Sequence, residues 1–176
     1  MWLPTFVVSW FVITLVATSV PSVASAQVSD MALVERVTQT VQRSANFGIF
    51  DDVNVEVSNR AVTLTGRVTT PAKRDAIADR VGKIDGLRAL TNDIRVLPNS
   101  PLDTRLRAKA AQAIYGHSAF WHYASMANPP IHIIVEHGHI TLTGCVNSEV
   151  EKTLAYALAQ VEGSFGVKNE LRIDKR

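Results

Sequence analysis

The stretch Ala61-Val62-Thr63-Leu64-Thr65-Gly66 returns later as His139-Ile140-Thr141-Leu142-Thr143-Gly144. Each copy alternates apolar and polar residues, the period of a strand with one face covered and one face wet. A second alternating run precedes each copy: Val53, Val55 and Val57 in one case, Ile131, Ile133 and Val135 in the other. A helical pattern, a glycine (Gly86, Gly163), an asparagine (Asn92, Asn169) and a short strand follow each copy. A duplication of this kind constrains the architecture before any single element is assigned. It predicts an α+β chain of two tandem αββαβ domains, each a three-stranded sheet with two helices packed on one face. The expected division is a first domain over 27–97, a linker over 98–101 and a second domain over 102–176. Strand order stays open.

The first helix is expected from about Asp30 to Arg43, with Leu33, Val37 and Val41 on its apolar face and Ser29 or Asp30 as its cap. Ser58-Asn59-Arg60 reads as the hairpin turn. Gly66 falls on the apolar side of its strand, where a missing side chain admits a close neighbour; the helix is the expected neighbour. Thr70-Pro71 starts the next helix, with Ile77, Val81 and Ile84 inward and Lys73, Arg74, Asp79 and Arg80 in solvent. Gly86 is expected to end that helix as a left-handed cap. The second copy restarts at Ser100-Pro101, with Leu102, Leu106, Ala110 and Ile114 as its stripe. Ser148-x-x-Glu151 has the form of a capping box, followed by the stripe Val150, Leu154, Leu158 and Val161, the stop Gly163 and a last strand through Val167, Leu171 and Ile173. Gly66, Gly86, Gly144 and Gly163 are all read as structural.

Domains of roughly 70 residues bury only about 60% of their unfolded surface, so the two should lean on each other or on a partner. The net charge of +2 is spread over both halves, without the basic stripe that marks a nucleic-acid binder. The one cysteine, Cys145, rules out an internal disulfide and any metal site built on cysteine pairs. The apolar run Phe6–Val16 and the small-x-small triplet Ala24-Ser25-Ala26 fit an export signal over residues 1–26, although its n-region lacks Lys and Arg. The alternative is an uncleaved anchor, for which the run is short.

With these residues in view, the chain resembles the BON-domain family, whose pattern is V-T-L-x-G-x-V followed by a helix and a glycine-to-asparagine strand entry. Val62-Thr63-Leu64-Thr65-Gly66-Arg67-Val68 and Ile140-Thr141-Leu142-Thr143-Gly144-Cys145-Val146 carry the likeness, which extends over nearly everything after residue 29. Gly138 fits the family's turn glycine, whereas Arg60 stands at the corresponding place in the first copy, and Gly163-Ser164-Phe165-Gly166-Val167 is looser than the pattern. The resemblance implies a periplasmic or envelope-associated, non-enzymatic protein. It would bind phospholipid surfaces or envelope proteins and support envelope integrity or stress tolerance, with no cofactor and no nucleic acid.

The copies differ most between their first helix and hairpin. The second carries Tyr115, Phe120, Trp121 and Tyr123 there, with Met126 nearby. Trp and Tyr favour sites that are apolar at one end and wet at the other, such as a bilayer interface. These aromatics, with Arg105, Arg107 and Lys109, form the candidate membrane or partner contact; the structural alternative is that they enlarge the core. All five histidines lie in the second copy, and His137 and His139 flank the turn glycine as weak metal candidates, without a ligand template. Cys145 sits on the polar face of its strand, either beneath a neighbour or able to bridge two chains. No nucleophile, base and orienting acid converge. Two other functions stay open: a periplasmic holdase for unfolded exported proteins, and small-ligand or metal sensing by the second domain.

Overall fold

A computed structural model of the protein describes residues 23–174. The first unit comprises α1 (Val23–Gln42), β1 (Asp52–Ser58), β2 (Ala61–Val68), α2 (Pro71–Val81) and β3 (Ala89–Val96). The second comprises α3 (Pro101–Tyr115), a 3-10 turn (Ser118–Phe120), the short α4 (Trp121–Ala124), β4 (Ile131–Glu136), β5 (His139–Val146), α5 (Glu149–Ala159), β6 (Gly166–Asn169) and β7 (Arg172–Ile173). The duplicated α+β architecture is present. The glycine-terminated strand is central in each sheet, paired antiparallel to the preceding strand and parallel to the last one. The parallel pairing follows from the intervening helix, which carries the chain back across the sheet. The last strand of the second sheet departs from its copy: it breaks at Glu170 and Leu171, and β6 and β7 pair separately with β5. Asn169 marks the break, because its Oδ1 accepts from Leu171 N–H and its Nδ2 donates to Lys152 O on α5. Asn92 makes the matching bond to Ile94 N–H.

The hairpin turns explain two of the repeated residues. Asn59 and Arg60 both have positive φ, as do His137 and Gly138, so each pair forms the primed two-residue turn that suits strand twist. The amides of each turn point at one carboxylate. Asp30 accepts from Asn59 N and Arg60 N at 2.8 and 2.9 Å; Asp103 accepts from His137 N and Gly138 N at 3.1 and 2.8 Å. Asp30 is therefore not the cap of α1, which begins at Val23, several residues before the expected start. Of the expected export signal over 1–26, residues 1–22 lie outside the described residues.

Gly66 and Gly144 have φ of +118° and +102°. A Cβ on Gly66 would stand 2.1 Å from Asp52 O, and one on Gly144 would stand 1.9 Å from Pro130 O. The close neighbour is thus the backbone of the paired hairpin strand, not the helix. Gly86 and Gly163 do not cap helices either: α2 ends at Val81 and α5 at Ala159, and each glycine lies in the turn that enters the last strand.

Each sheet is covered on one face by two helices. The first core is built on Leu33, Val37, Leu64, Val68 and Ile77, the second on Leu106, Ile114, Ile133, Ile140 and Leu142. Thr70 and Ser100 cap α2 and α3 as expected, each with proline in the first turn. On α5 the buried face is Ala155 and Ala159, with Leu154, Leu158 and Val161 half-buried beside them, while Val150 is 76% exposed. The stripe is rotated because the two alanines let α5 lie close to the sheet. Lys73, expected in solvent, instead reaches 2.7 Å from the fully buried Asp51.

The two units do lean on each other. Ile133 N–H, on the outer edge of β4, donates to Ile49 O at 2.6 Å, and Phe50 packs against the second core. The Phe47 ring lies 5.8 Å from His132. Glu136 lies 3.6 Å from Arg67 and 3.8 Å from Arg95. The connection before β1 therefore covers the β4 edge, an exposed strand edge that would otherwise invite pairing. Cys145 is half-buried and lines the cleft between the units with Thr38, Asp52 and Arg172.

Candidate functional site

The aromatic segment of the second unit divides in two. Phe120 and Tyr123 are buried in the core, their rings stacked with centroids 6.1 Å apart. They are withdrawn from any membrane or partner contact by this burial, which corrects the sequence expectation for both. Tyr115 is half-buried, and its hydroxyl donates to Ile131 O. Burial pushes its phenol well above the usual range. The Tyr123 hydroxyl donates to Glu151 Oε2 at 2.8 Å and accepts from Asn147 N–H. Burial first, and the Glu151 carboxylate second, push its pKa up to about 12.

This network has a counterpart in the first unit that sequence reading missed. There Asp51 accepts from Thr69 N at 2.8 Å and pairs with Lys73. Thr69 corresponds to Asn147 and Lys73 to Glu151, counting from the helix caps Thr70 and Ser148. Tyr123 and Glu151 thus satisfy the amide that Asp51 satisfies in the other copy. The expected capping box is accordingly only half formed: Glu151 N–H bonds Ser148 Oγ, but the Glu151 carboxylate reaches Asn147 N–H rather than that of Ser148.

Trp121 behaves differently from Phe120 and Tyr123. It is 64% exposed, and its indole N–H donates to Gly116 O at 3.2 Å, which fixes the ring at the surface. The hydrogen bonds of Tyr123 tie α4 to the start of α5, where Val150 is also exposed; Met126 follows just after α4. On α3, Arg105 and Lys109 are exposed, and Lys109 Nζ reaches Glu162 O at 3.2 Å. Arg107 does not join them. It is buried, its Nη2 donates to Val135 O at 2.8 Å, and its Nε has no protein partner. Burial lowers its pKa, and the nearby Asp103 and Asp51 oppose that shift.

His137 stands exposed in the hairpin turn, and the exposed His139 ring lies edge-on to Phe165 at 5.9 Å. Among the described residues no group of three or more His, Cys, Asp and Glu is placed to hold a metal ion. Among them, too, no helix is long and apolar enough to cross a membrane. Phe165, 70% exposed, and the partly exposed Tyr156 are surface aromatics that sequence reading passed over, because neither falls in a cluster.

Three comparisons bear on identity. No protein of curated description matches the chain. Among solved structures, the chain is similar to the C-terminal domain of CdsD, the structural protein of the Type III secretion system of Chlamydia trachomatis. That match has 17% identity and a TM-score of 0.33, covering 82% of this chain and 67% of that one. It is also similar to a second structure of CdsD, with 12% identity and a TM-score of 0.29, covering 82% of this chain and 94% of that one. The family model described as BON domain matches twice, over residues 29–98 and 103–175. With both copies of the repeat matched over most of its length, the chain belongs to the BON-domain family.

Proposed function

We propose that the protein is a non-enzymatic binding module of the cell envelope that attaches to an anionic phospholipid surface through the helical side of its second domain. BON domains are generally non-catalytic binding modules, found in envelope-associated proteins. In this reading the chain works in the periplasm, as an export signal over residues 1–26 implies.

The observation that carries the reading is the exposure of Trp121. A buried Phe120 and Tyr123 hold α4 in place, and the indole between them in sequence is exposed, as is Val150 at the start of α5. An indole anchored by its N–H with its apolar body in solvent has the character of an interfacial side chain. Arg105 and Lys109 add attraction of about 1 kcal/mol each near an anionic surface, falling off within a Debye length.

Flotation on phosphatidylglycerol-containing vesicles tests this. The double variant Trp121→Glu, Val150→Glu should stay with the soluble fraction while its thermal unfolding matches the wild type. Flotation equal to wild type would remove the proposal. Phe120→Glu is the wrong probe, because it would bury a carboxylate in the core.

A further inference from the structure

The second domain carries a strand edge that meets no other strand among the described residues. β6 is the outermost strand of its sheet. Phe165 N–H donates inward to Gly138 O at 2.8 Å, so strand alternation turns the backbone groups of Gly166 and Lys168 toward the open side. Hollows flank this short edge on both faces. On the helix side, one of about 530 Å³ is lined by Tyr156, Phe165 and Val167 together with the polar Gln160, Glu162 and Ser164. On the outer face, one of about 330 Å³ is lined by His139, Thr141 and Lys168, among others.

The first domain has the same edge without the same lining. Arg88 stands where Phe165 does, its N–H donating to Arg60 O in the matching turn. Ala78 takes the place of Tyr156 on the helix, eight residues past the cap. Ala89 and Thr91 take the places of Gly166 and Lys168. Phe165 and Tyr156 are not core residues, being 70% and 38% exposed. Phe165 lies over Gly138 and edge-on to His139, whereas the first copy, with Arg60 in the turn, has Arg88 and Ala78 at these two positions.

We propose that the β6 edge docks an extended peptide as an added strand. Main-chain bonds to Gly166 and Lys168 would hold it. Its alternate side chains would enter the two hollows, an aromatic ring against Tyr156 and Phe165 on one side and an acidic group toward His139 and Lys168 on the other. This is the strand-addition mode, in which backbone pairing supplies affinity and pockets on alternate sides supply selectivity. Lys168 pairs with Glu170 at 2.6 Å and, with three ammonium donors, can also meet an incoming carboxylate. The edge ends at Asn169, where Oδ1 occupies the next outward amide, Leu171 N–H, so the docked segment is short.

The test is an amide chemical-shift titration of the full chain with the heptapeptide Thr-Val-Glu-Phe-Thr-Val-Glu, blocked at both ends. A copy N-methylated at its central residue serves as control. Saturable shifts concentrated at Gly166 and Lys168, lost with the N-methylated copy, are the expected result. Phe165→Arg, which installs the first domain's residue, should weaken binding at least about tenfold, or about 1.4 kcal/mol. Lys168→Pro removes the outward donor while sparing the inward ladder and should abolish the shifts. No saturable shift up to about 1 mM peptide, shifts centred elsewhere, or unchanged affinity in both variants would overturn the proposal. Vesicle flotation of Phe165→Arg should equal wild type; its loss would show one shared surface and would also overturn a separate peptide edge.

Discussion

The duplicated carboxylates Asp30 and Asp103 allow a mutation to be judged against its own twin. Both accept two amide hydrogen bonds from a hairpin turn, and they differ in burial. Asp103 is fully buried and lies near the buried Arg107, whereas Asp30 is only half-buried and its bonds are exposed to water. Replacing Asp103 by alanine removes two charge-assisted bonds worth about 1.5 kcal/mol each at the low end. It also removes one of the two carboxylates whose charge offsets the burial of the Arg107 guanidinium. Asp103→Ala should therefore destabilise by about 3 kcal/mol, and Asp30→Ala by about 1 kcal/mol, because water can replace the lost Asp30 carboxylate. In a urea titration with a slope of about 2 kcal/mol/M, the midpoints should fall by about 1.5 M and about 0.5 M respectively. Adding Arg107→Met to Asp103→Ala should return part of the loss, since a buried cation left with Asp51 as its charged neighbour is then gone. Equal shifts for the two alanine variants would refute the assignment of burial as the deciding term. So would a double variant no more stable than Asp103→Ala.

Arg60 holds a φ of +62° in the first hairpin turn, where the second copy has Gly138. Arg60→Gly should raise stability by about 0.5–1 kcal/mol, the relief of a left-handed side-chain conformation less the extra freedom of glycine in the unfolded chain, read from the urea midpoint. The Tyr123 phenol, pushed up to about 12, predicts an alkaline loss of stability. Its contribution is fully present below the ordinary tyrosine pKa of about 10 and is lost as pH rises through about 12, because the unfolded chain then releases the proton first. Tyr123→Phe should flatten the fall of the urea midpoint across that window, and an unchanged fall would remove Tyr123 as its source.

The sequence made the duplication, the hairpins and the helix caps legible because each is written in local terms: period-two alternation, Ser or Thr before Pro, glycine at a fixed place. What it hid was contact between distant residues. Asp30 looks like a helix cap and is instead a turn anchor, because its partners lie about 30 residues away in the hairpin. Lys73 belongs to a polar helix face by spacing, yet Asp51 draws it inward. Gly66 announced a close approach, but only the strand register shows that the approaching group is Asp52 O. The aromatic cluster showed where the copies diverge, not which rings point in. Phe120 and Trp121 are adjacent in sequence and opposite in environment because a 3-10 turn hands over to α4 between them.

That divergence has a physical logic once the interface between the copies is considered. In the first unit the short connection before β1 does two tasks: Asp51 satisfies Thr69 N–H, and Ile49 and Phe50 cover the edge and core of the second unit. The corresponding connection of the second unit takes another form. Tyr123 and Glu151 take over the task of Asp51, and the longer segment gains room for an exposed indole. The same asymmetry holds at the far edge. The outer face of the first sheet offers Arg67 and Arg95 to Glu136, while the β6 edge of the second meets no other strand among the described residues. In this pair of copies the first supports the second, and the second carries Val150, Phe165 and Trp121, which with Met31 are the most exposed large apolar side chains among the described residues. A duplicated fold held together by one copy's loop thus leaves the helical side and the β6 edge of the other as the places where large apolar side chains stand exposed among the described residues.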